Sequence, residues 1–420
     1  MYKIREVEIK GFWGRMRAAC KFNDNVNIII GRNGTGKTTF MNILHSSLSV
    51  DLDGLVENDF NDVVIKLGFE NRSKTIKVRK IDDIGLPFSV MEYQISQKKY
   101  RIRAFPNDDR RIFSHYRKRA YEEAMEVKAE LARLVSLSSL SVYRLRGGED
   151  FEIKDKSGKR IISPVDFRLG QLTSELTHYQ FELSQKARSI SSKLQKEVLA
   201  SILYSGSKEE SFLIPKNFDK TAERTKLTSA YTRLGVMDSD IRKKIVFHIS
   251  NIDEAVDKFN SEKDNEIAEI NFAALEAYIR TQRIMDLSLK AEEEINGIYS
   301  QINLFVAILK EFMPEKTFSL ESGEIAVTNN REEEIPVDKL SSGEKQLLIL
   351  LIETLLQRGE PYVYLTDEPE LSLHIEWQSK ILPAVKRINP HAQIIAATHS
   401  PEVASKYGNN LSDMKDVARG

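Results

Sequence analysis

The stretch "GRNGTGKTTFMNIL", residues 31–44, decides the fold. It contains the spacing G-x-x-x-x-G-K-T as Gly31, Arg32, Asn33, Gly34, Thr35, Gly36, Lys37 and Thr38. The apolar run "NVNIII" (25–30) precedes it and reads as a buried strand. A helical pattern follows, with Phe40, Ile43 and Leu44 on one face. A strand, a glycine loop and a helix start are the context of a phosphate-binding loop. Glycines let the backbone curl so that its N–H groups converge on an anion. A helix N-terminus adds unpaired N–H groups and a positive dipole end. Gly31, Asn33, Gly34, Thr35 and Gly36 would form the cradle. Lys37 is expected to reach the β- and γ-phosphates of a nucleotide and Thr38 to ligate Mg²⁺. Thr39 reads equally as a phosphate contact or as a plain helix residue.

Outward from this loop, composition sets the bounds. The chain has 420 residues, with 62 Lys and Arg against 62 Asp and Glu, so global charge argues neither for nor against nucleic acid. Apolar content of 41% is ordinary for a globular protein. The one cysteine, Cys20, excludes an internal disulfide and a zinc site on paired cysteines. No apolar run approaches the roughly 20 residues that span a bilayer. The opening "MYKIREVEIKGF" alternates like a strand and does not resemble a signal peptide. A cytoplasmic protein with no membrane partner is expected.

Short alternating runs, "VVIKLGFE", "TIKVRK", "VMEYQIS" and "KYRIRAF", fill residues 62–104 and predict antiparallel hairpins. A helix is expected at about 110–135, then a strand, "SLSVYRL" (139–145). From about 165 to 314 glycine is scarce and apolar residues recur at helical spacing. Residues 271–313, if one continuous helix, would be about 65 Å long at about 1.5 Å per residue. This part is read as a packed helical subdomain in preference to a projecting coiled coil. Strand texture returns in "KTFSLES" and "EIAVTN". The expected division is therefore 1–164, 165–314 and 315–420.

The last part carries the second half of the chemistry. "YVYLTDE" (362–368) is an apolar strand ending in two acids. Asp367 is placed to hold Mg²⁺ and Glu368 to take a proton from an attacking water. "KLSSGEKQ" (339–346) begins a helix, and its Ser341, Ser342, Gly343 and Glu344 would offer a second anion-binding helix end. "IIAATHSP" (394–401) is a buried-type strand followed by His399.

Taken together these motifs resemble the ABC-type ATPases, in the form of the SMC and Rad50 branch. "TDEPELSLHIEWQ" followed by "ATHSP" is similar to the OLD-like (AAA_21-type) group. The specific likeness covers residues 1–45 and 335–402. It departs from the group at Ser342, where many members have glycine, and at Ile375, where many have proline. The resemblance implies an α/β fold: an ABC-type P-loop ATPase head, a mixed sheet with antiparallel hairpins, and a helical insertion. It implies ATP and Mg²⁺, with His399 sensing the γ-phosphate. It also implies a homodimer, or a higher oligomer, in which the Ser341–Gly343 turn meets the nucleotide of the opposite subunit. Glu370 and His374 would lie at the dimer seam or serve packing. Gln171 or Gln180 would link the metal to the first lobe, and Arg15 and Arg17 are candidate nucleotide contacts.

Three function classes fit these motifs unequally. The favoured one is the sensor or scaffold of a bacterial anti-phage system, resembling the ATPase subunits of PARIS- and Septu-type systems. The chain ends soon after His399, so a Toprim or HNH nuclease is expected as a separate partner. The second is a Rad50- or RecF-like ATPase of DNA repair. Residues 72–119 carry 14 Lys and Arg against five Asp and Glu, with Tyr93, Tyr100, Phe105 and Tyr116 interleaved, which could follow the backbone of duplex DNA. A solvated face of basic hairpins explains the same count. The third, a membrane-transport ATPase, fits poorly with basic hairpins and a helical insert between the two halves of the site.

Overall fold

The structure is a computed structural model that describes residues 1–81, 88–105, 114–141, 151–155, 158–202, 218–261, 271–321 and 323–419. Strand β1 (Lys3–Phe12) turns into β2 (Met16–Lys21). Ile4 and Val7 both face the core although three residues apart, because a bulge between Ile4 and Glu6 shifts the register against the neighbouring strand. Then come β3 (Val26–Ile30), α1 (Lys37–Ser49) and α2 (Leu52–Glu57), followed by β4 (Asp62–Phe69), β5 (Arg72–Ile81), β6 (Ser89–Ile95) and β7 (Lys98–Ala104). These last four pair antiparallel in sequence order, as their alternation predicts. Helix α3 (Ser114–Leu134) leads to β8 (Leu137–Ser141); residues 142–145 of that expected strand lie outside the described residues. A small hairpin, β9 (Phe151–Asp155) and β10 (Gly158–Ile162), has no counterpart in the sequence reading.

Four helices follow: α4 (Pro164–Ile202), α5 (Lys220–Arg233), α6 (Ser239–Ser261) and α7 (Phe272–Phe312), the last unbroken over 41 residues. After the hairpin β11 (Lys316–Glu321) and β12 (Glu324–Asn329) the chain forms α8 (Ser342–Leu356), β13 (Val363–Asp367), α9 (Ile375–Ile388) and β14 (Gln393–Thr398). Short elements end it: α10 (Pro401–Ala404), β15 (Leu411–Asp413), α11 (Met414–Val417) and β16 (Ala418–Arg419).

The strands form two principal sheets. One is antiparallel, in the order β16-β2-β1-β4-β5-β6-β7. The other is parallel, in the order β15-β3-β14-β13-β8. One hydrophobic cluster joins both sheets with α1 and α3, including Ile9, Phe40, Leu44, Val78, Val127, Leu365 and Ile395. Helix α1 is buried on nearly all sides, down to Ser46 and Ser47. A helix so enclosed draws backbone hydrogen-bond partners from its neighbours. Accordingly the buried Tyr93 hydroxyl of β6 donates to the Ser47 carbonyl at 3.2 Å. Each such large apolar side chain contributes roughly 1.5–3 kcal/mol on burial.

The chain divides into two compact units, Met1–His178 with Gln301–Gly420, and Tyr179–Ser300. The second unit has its own small cores. Leu227 and Ala230 of α5 pack with Ile245 and Ile249 of α6 and Met285 of α7. Ile252, Ala255 and Val256 of α6 pack with Ala274 and Leu275 of α7. Asp219 caps α5, accepting from the Thr221 and Ala222 N–H groups at 2.9 Å. Among the described residues no helix is long and apolar enough to cross a membrane.

Candidate nucleotide site

In a parallel sheet every strand delivers its C-terminal end to the same edge, where ligands bind in open α/β folds. Strand β14 lies between β3 and β13. Ala397 of β14 is level with Ile29 of β3 and with Asp367 of β13. The residues just beyond these strands therefore emerge side by side: Gly31 at the start of the glycine loop, His399, and Glu368. Sequence alone places them far apart in the chain; the strand order brings them together.

The loop is shaped by its own small residues. Thr35 donates its hydroxyl to the Arg32 carbonyl at 2.8 Å, and its N–H to the same oxygen at 3.3 Å. Gly36 is the N-cap of α1 at φ 95°, a left-handed conformation suited to glycine. A Cβ there would lie 2.9 Å from the Phe12 ring and 3.0 Å from Trp13. No side chain caps α1 and no acid occupies its first turn, so the N–H groups around Lys37, Thr38 and Thr39 keep their affinity for an anion. Asn33 and Gly34 are exposed at the loop's outer side.

Lys37 is only 4% exposed. Its ammonium donates to the Gly31 carbonyl at 2.9 Å, to the Arg32 carbonyl at 3.4 Å, and to His399 Nε2 at 2.7 Å. Burial pushes its pKa down, opposed by the nearby carboxylates of Asp367, Glu368, Glu370 and Asp413. Glu368 sits at φ 51°, a strained backbone for a non-glycine residue that costs on the order of 1–3 kcal/mol. The turn is held by the Glu368 N–H donating to the Ala397 carbonyl at 2.7 Å. Its Oε1 lies 3.6 Å from His399 Nε2. A buried cation, an imidazole and a carboxylate thus form one chain of contacts at the mouth of the glycine loop.

The Ser341–Glu344 turn is built differently. Ser341 caps α8 in a capping box: its hydroxyl accepts from the Glu344 N–H at 3.3 Å, and the Glu344 carboxylate accepts from the Ser341 N–H at 2.9 Å. Glu344 also pairs with Lys316. Burial raises the pKa of the Glu344 carboxyl, but the Lys316 and Ser341 hydrogen bonds outweigh it and the net shift is downward. Gly343 has no space for a side chain, since a Cβ would meet the Ser372 carbonyl oxygen at 2.6 Å. Ser341 and Ser342 face solvent. Two ion pairs hold the helix behind them: Lys345 with Asp166 at 2.7 Å, and Glu353 with Arg168 at 2.5 Å.

The remaining candidates fall elsewhere. Gln171 is exposed and accepts from Arg168 at 3.4 Å. Gln180 is buried in the helical unit. Arg15 is exposed at the tip of the first hairpin, and Arg17 pairs with Glu8 at 2.9 Å. His374 is exposed beside Ile375, and its ring lies edge-on to Trp377. In the basic region, residues 82–87 and 106–113 lie outside the described residues. Of the rest, Arg79 pairs with Asp62, Lys98 with Glu130, Arg101 with Glu92 and Arg103 with Glu123. Three of those four acids come from outside the 72–119 window, so the window's charge overstates that of the face.

Sequence reading passed over Trp13 and Asp413 and gave Glu370 no contact with His399. Phe12 and Trp13 stack on each other with ring centroids 5.1 Å apart and close over Gly36. A tryptophan just before a glycine, Trp13-Gly14, was the available signal. Nothing local points to Asp413 or to the Glu370 contacts described below.

Set against known proteins, residues 2–404 match the family AAA_15, described as an AAA ATPase domain, and the chain belongs to that family. Its sheet order agrees with a mixed α/β head carrying that ATPase domain. Among curated relatives, the Septu protein PtuA of Bacillus thuringiensis is 54% identical over 46 residues, 11% of this chain and 12% of that protein. The Retron Vc95 probable ATPase of Vibrio cholerae serotype O1 biovar El Tor is 28% identical over 176 residues, 39% of this chain and 29% of that protein. The matched stretches therefore span less than a third of either relative. Solved structures that resemble the chain include an Smc head domain with an extended coiled coil from Pyrococcus furiosus, at TM-score 0.46 and 14% identity, covering 100% of this chain and 96% of that one. The SMC head domain from Thermotoga maritima scores 0.40 at 12% identity, covering 96% and 91%. Similarity at that level carries no weight for function.

Proposed function

We propose that the chain binds ATP at the Lys37 loop and hydrolyses it within a dimer of two identical copies, as the sensor or scaffold of an anti-phage system with a separate effector. The observation that carries the reading is the convergence of Lys37, His399 and Glu368 at one sheet edge. Lys37 would exchange carbonyl and imidazole contacts for phosphate oxygens. The loop and α1 N–H groups would hold the β- and γ-phosphates. Glu368 would take a proton from water as its oxygen attacks the γ-phosphorus, and the bond to the β–γ bridging oxygen would break to leave ADP and phosphate. His399, between Glu368 and Lys37, would orient the γ-phosphate end.

The residues present suit Mg²⁺. Thr38 and Asp367 offer hard oxygen donors, and this ion commonly takes one or two protein ligands, with water and phosphate completing its shell. Among the described residues no cluster of three or more His, Cys, Asp or Glu could hold a metal by itself. Bound there, Mg²⁺ would neutralise phosphate charge.

The dimer is supported by the solvent-facing Ser341 and Ser342 and by exposed apolar neighbours. Leu371 and Ile375, 43% and 61% exposed, flank the Ser372 backbone on which Gly343 packs. Such residues gain by burial against a second copy. The defence role is supported by the names of the Septu and Retron relatives, which agree with the motif resemblance. The test is size-exclusion chromatography of Glu368→Gln with ATP and Mg²⁺. A stable dimer that dissolves when ATP is withdrawn is expected; a monomer in both conditions sinks the two-copy mechanism.

A further inference from the structure

Glu370 has no assigned task in the reaction just proposed, yet it makes the densest set of contacts near it. One carboxylate oxygen, Oε1, accepts from the Thr398 hydroxyl, from the His399 N–H at 3.1 Å and from the Ser400 N–H at 3.2 Å. The Ser400 N–H also lies 2.9 Å from the Thr398 hydroxyl oxygen. Three donors from three consecutive residues on one oxygen fix the turn that follows β14. That turn carries the imidazole that meets Lys37 at 2.7 Å and Glu368 at 3.6 Å.

The other side of the clamp is equally constrained. Glu370 follows Pro369, whose ring fixes φ, and the left-handed Glu368. The Leu371 N–H donates to the Glu368 carbonyl and the Leu373 N–H to the Glu370 carbonyl, each at 3.0 Å. The same tight turn contains Ser372, at φ 65°, whose carbonyl oxygen closes on Gly343 of the serine–glycine turn. Residues 368–373 thus touch the acidic strand end, the histidine turn and the start of α8.

We propose that Glu370 is a positioning residue that holds His399 in place and ties its place to the turn against which the Ser341–Gly343 segment packs. It acts through its hydrogen bonds to residues 398–400. A carboxylate suits this role because charge-assisted acceptance from backbone N–H groups is roughly twice as strong as neutral acceptance. The consequence is that movement of α8 at its N-terminus has a direct mechanical route to the histidine. This inference rests on the proposed ATPase reading for its kinetic consequence, but its structural core does not.

Two measurements separate these levels. The first follows backbone amide exchange in Glu370→Ala and Glu370→Gln, with no nucleotide. The His399 amide should exchange at least about tenfold faster in the alanine variant, because its acceptor is gone, whereas Ser400, which keeps the Thr398 hydroxyl oxygen, should change less. The β14 amides of Ile394 to Ala397 should be unchanged, and glutamine, which keeps an acceptor oxygen, should stay near wild type. Unchanged exchange at His399, or loosening along all of β14, overturns the clamp.

The second is steady-state ATP hydrolysis. Glu370→Ala should lower kcat by about tenfold or more, since small misplacement of a reacting group is costly. ATP affinity should hold within about threefold, and Glu370→Gln should keep most of the rate. The double variant Glu370→Ala/His399→Ala should be no slower than His399→Ala alone, because residues acting as one unit are not additive. Losses that multiply, or a full rate in Glu370→Ala, overturn the positioning role. A wild-type chain that hydrolyses no ATP overturns both the ATPase reading and this kinetic role, whereas the exchange result still decides the clamp.

Discussion

Two helix starts in this molecule, those of α1 and α8, have nearly the same local chemistry and opposite construction. Both begin with small residues and glycine, and both end in exposed N–H groups by default. At α1 no side chain caps the helix, a buried lysine sits at the first position, and four carboxylates surround it. At α8 a serine and a glutamate form a capping box, a lysine pairs with the glutamate, and the two serines face solvent. The first is a site assembled inside the chain and left open to an anion. The second carries its own cap and presents its serines to solvent. One chain therefore brings Lys37, His399 and Glu368 together at one sheet edge, while its serine–glycine turn packs on the Ser372 backbone and pairs with Lys316. That division is what the two-copy mechanism needs.

The largest break in the comparison comes from Lys37→Ala. It removes the one buried cation of the loop and should weaken ATP binding by at least about 100-fold, close to 3 kcal/mol. Isothermal titration reads this directly, and near-normal affinity would mean that α1 is not the anion site. Next is Glu368→Gln, which should leave affinity intact while hydrolysis falls by about 10²- to 10⁴-fold, measured by phosphate release.

Ser341→Ala tests the other helix. It should cost about 1 kcal/mol of stability through the lost cap, seen in denaturant melts. In the two-copy mechanism it should also slow hydrolysis with little change in ATP affinity of the separate chains. If it weakens binding in a monomer, the α8 start belongs to its own chain's site and the contrast fails.

The smallest effect is in pH. The Glu344 carboxyl is held below its ordinary range in the folded chain. Its folded-state pKa is depressed, so the stability it adds is complete above the unfolded carboxylate pKa and lost as pH falls through the lower folded value. Thermal melts from neutral pH down to about pH 3 should therefore show a smaller acid loss in Glu344→Gln than in the parent. An equal loss would remove Glu344 as a titrating cap.

Much of this was legible before any coordinates. The glycine loop, the acidic strand and the four hairpin strands are local patterns, and local patterns report local backbone. Helical spacing over 271–313 was readable, but spacing alone left open its continuity as the 41-residue helix α7. The basic window shows the limit. Its excess of Lys and Arg is real, but Asp62, Glu123 and Glu130, from outside it, pair with Arg79, Arg103 and Lys98 across the strands. Charge along the chain is not charge on a face. Glu370 shows the same limit for a single residue: its identity was plain, while its three donors lie beyond another helix and strand.

The sequence by itself determined which residues could do chemistry and which backbone each would sit on, because spacing, glycine and apolar period act over a few residues. Only the tertiary structure decided which of them meet. Strand β14 settles between β3 and β13 through hydrogen bonds between distant segments, and that order sets His399 beside both Lys37 and Glu368. Long-range strand pairing is specified by the packing of the whole core, so no single stretch of the chain records it.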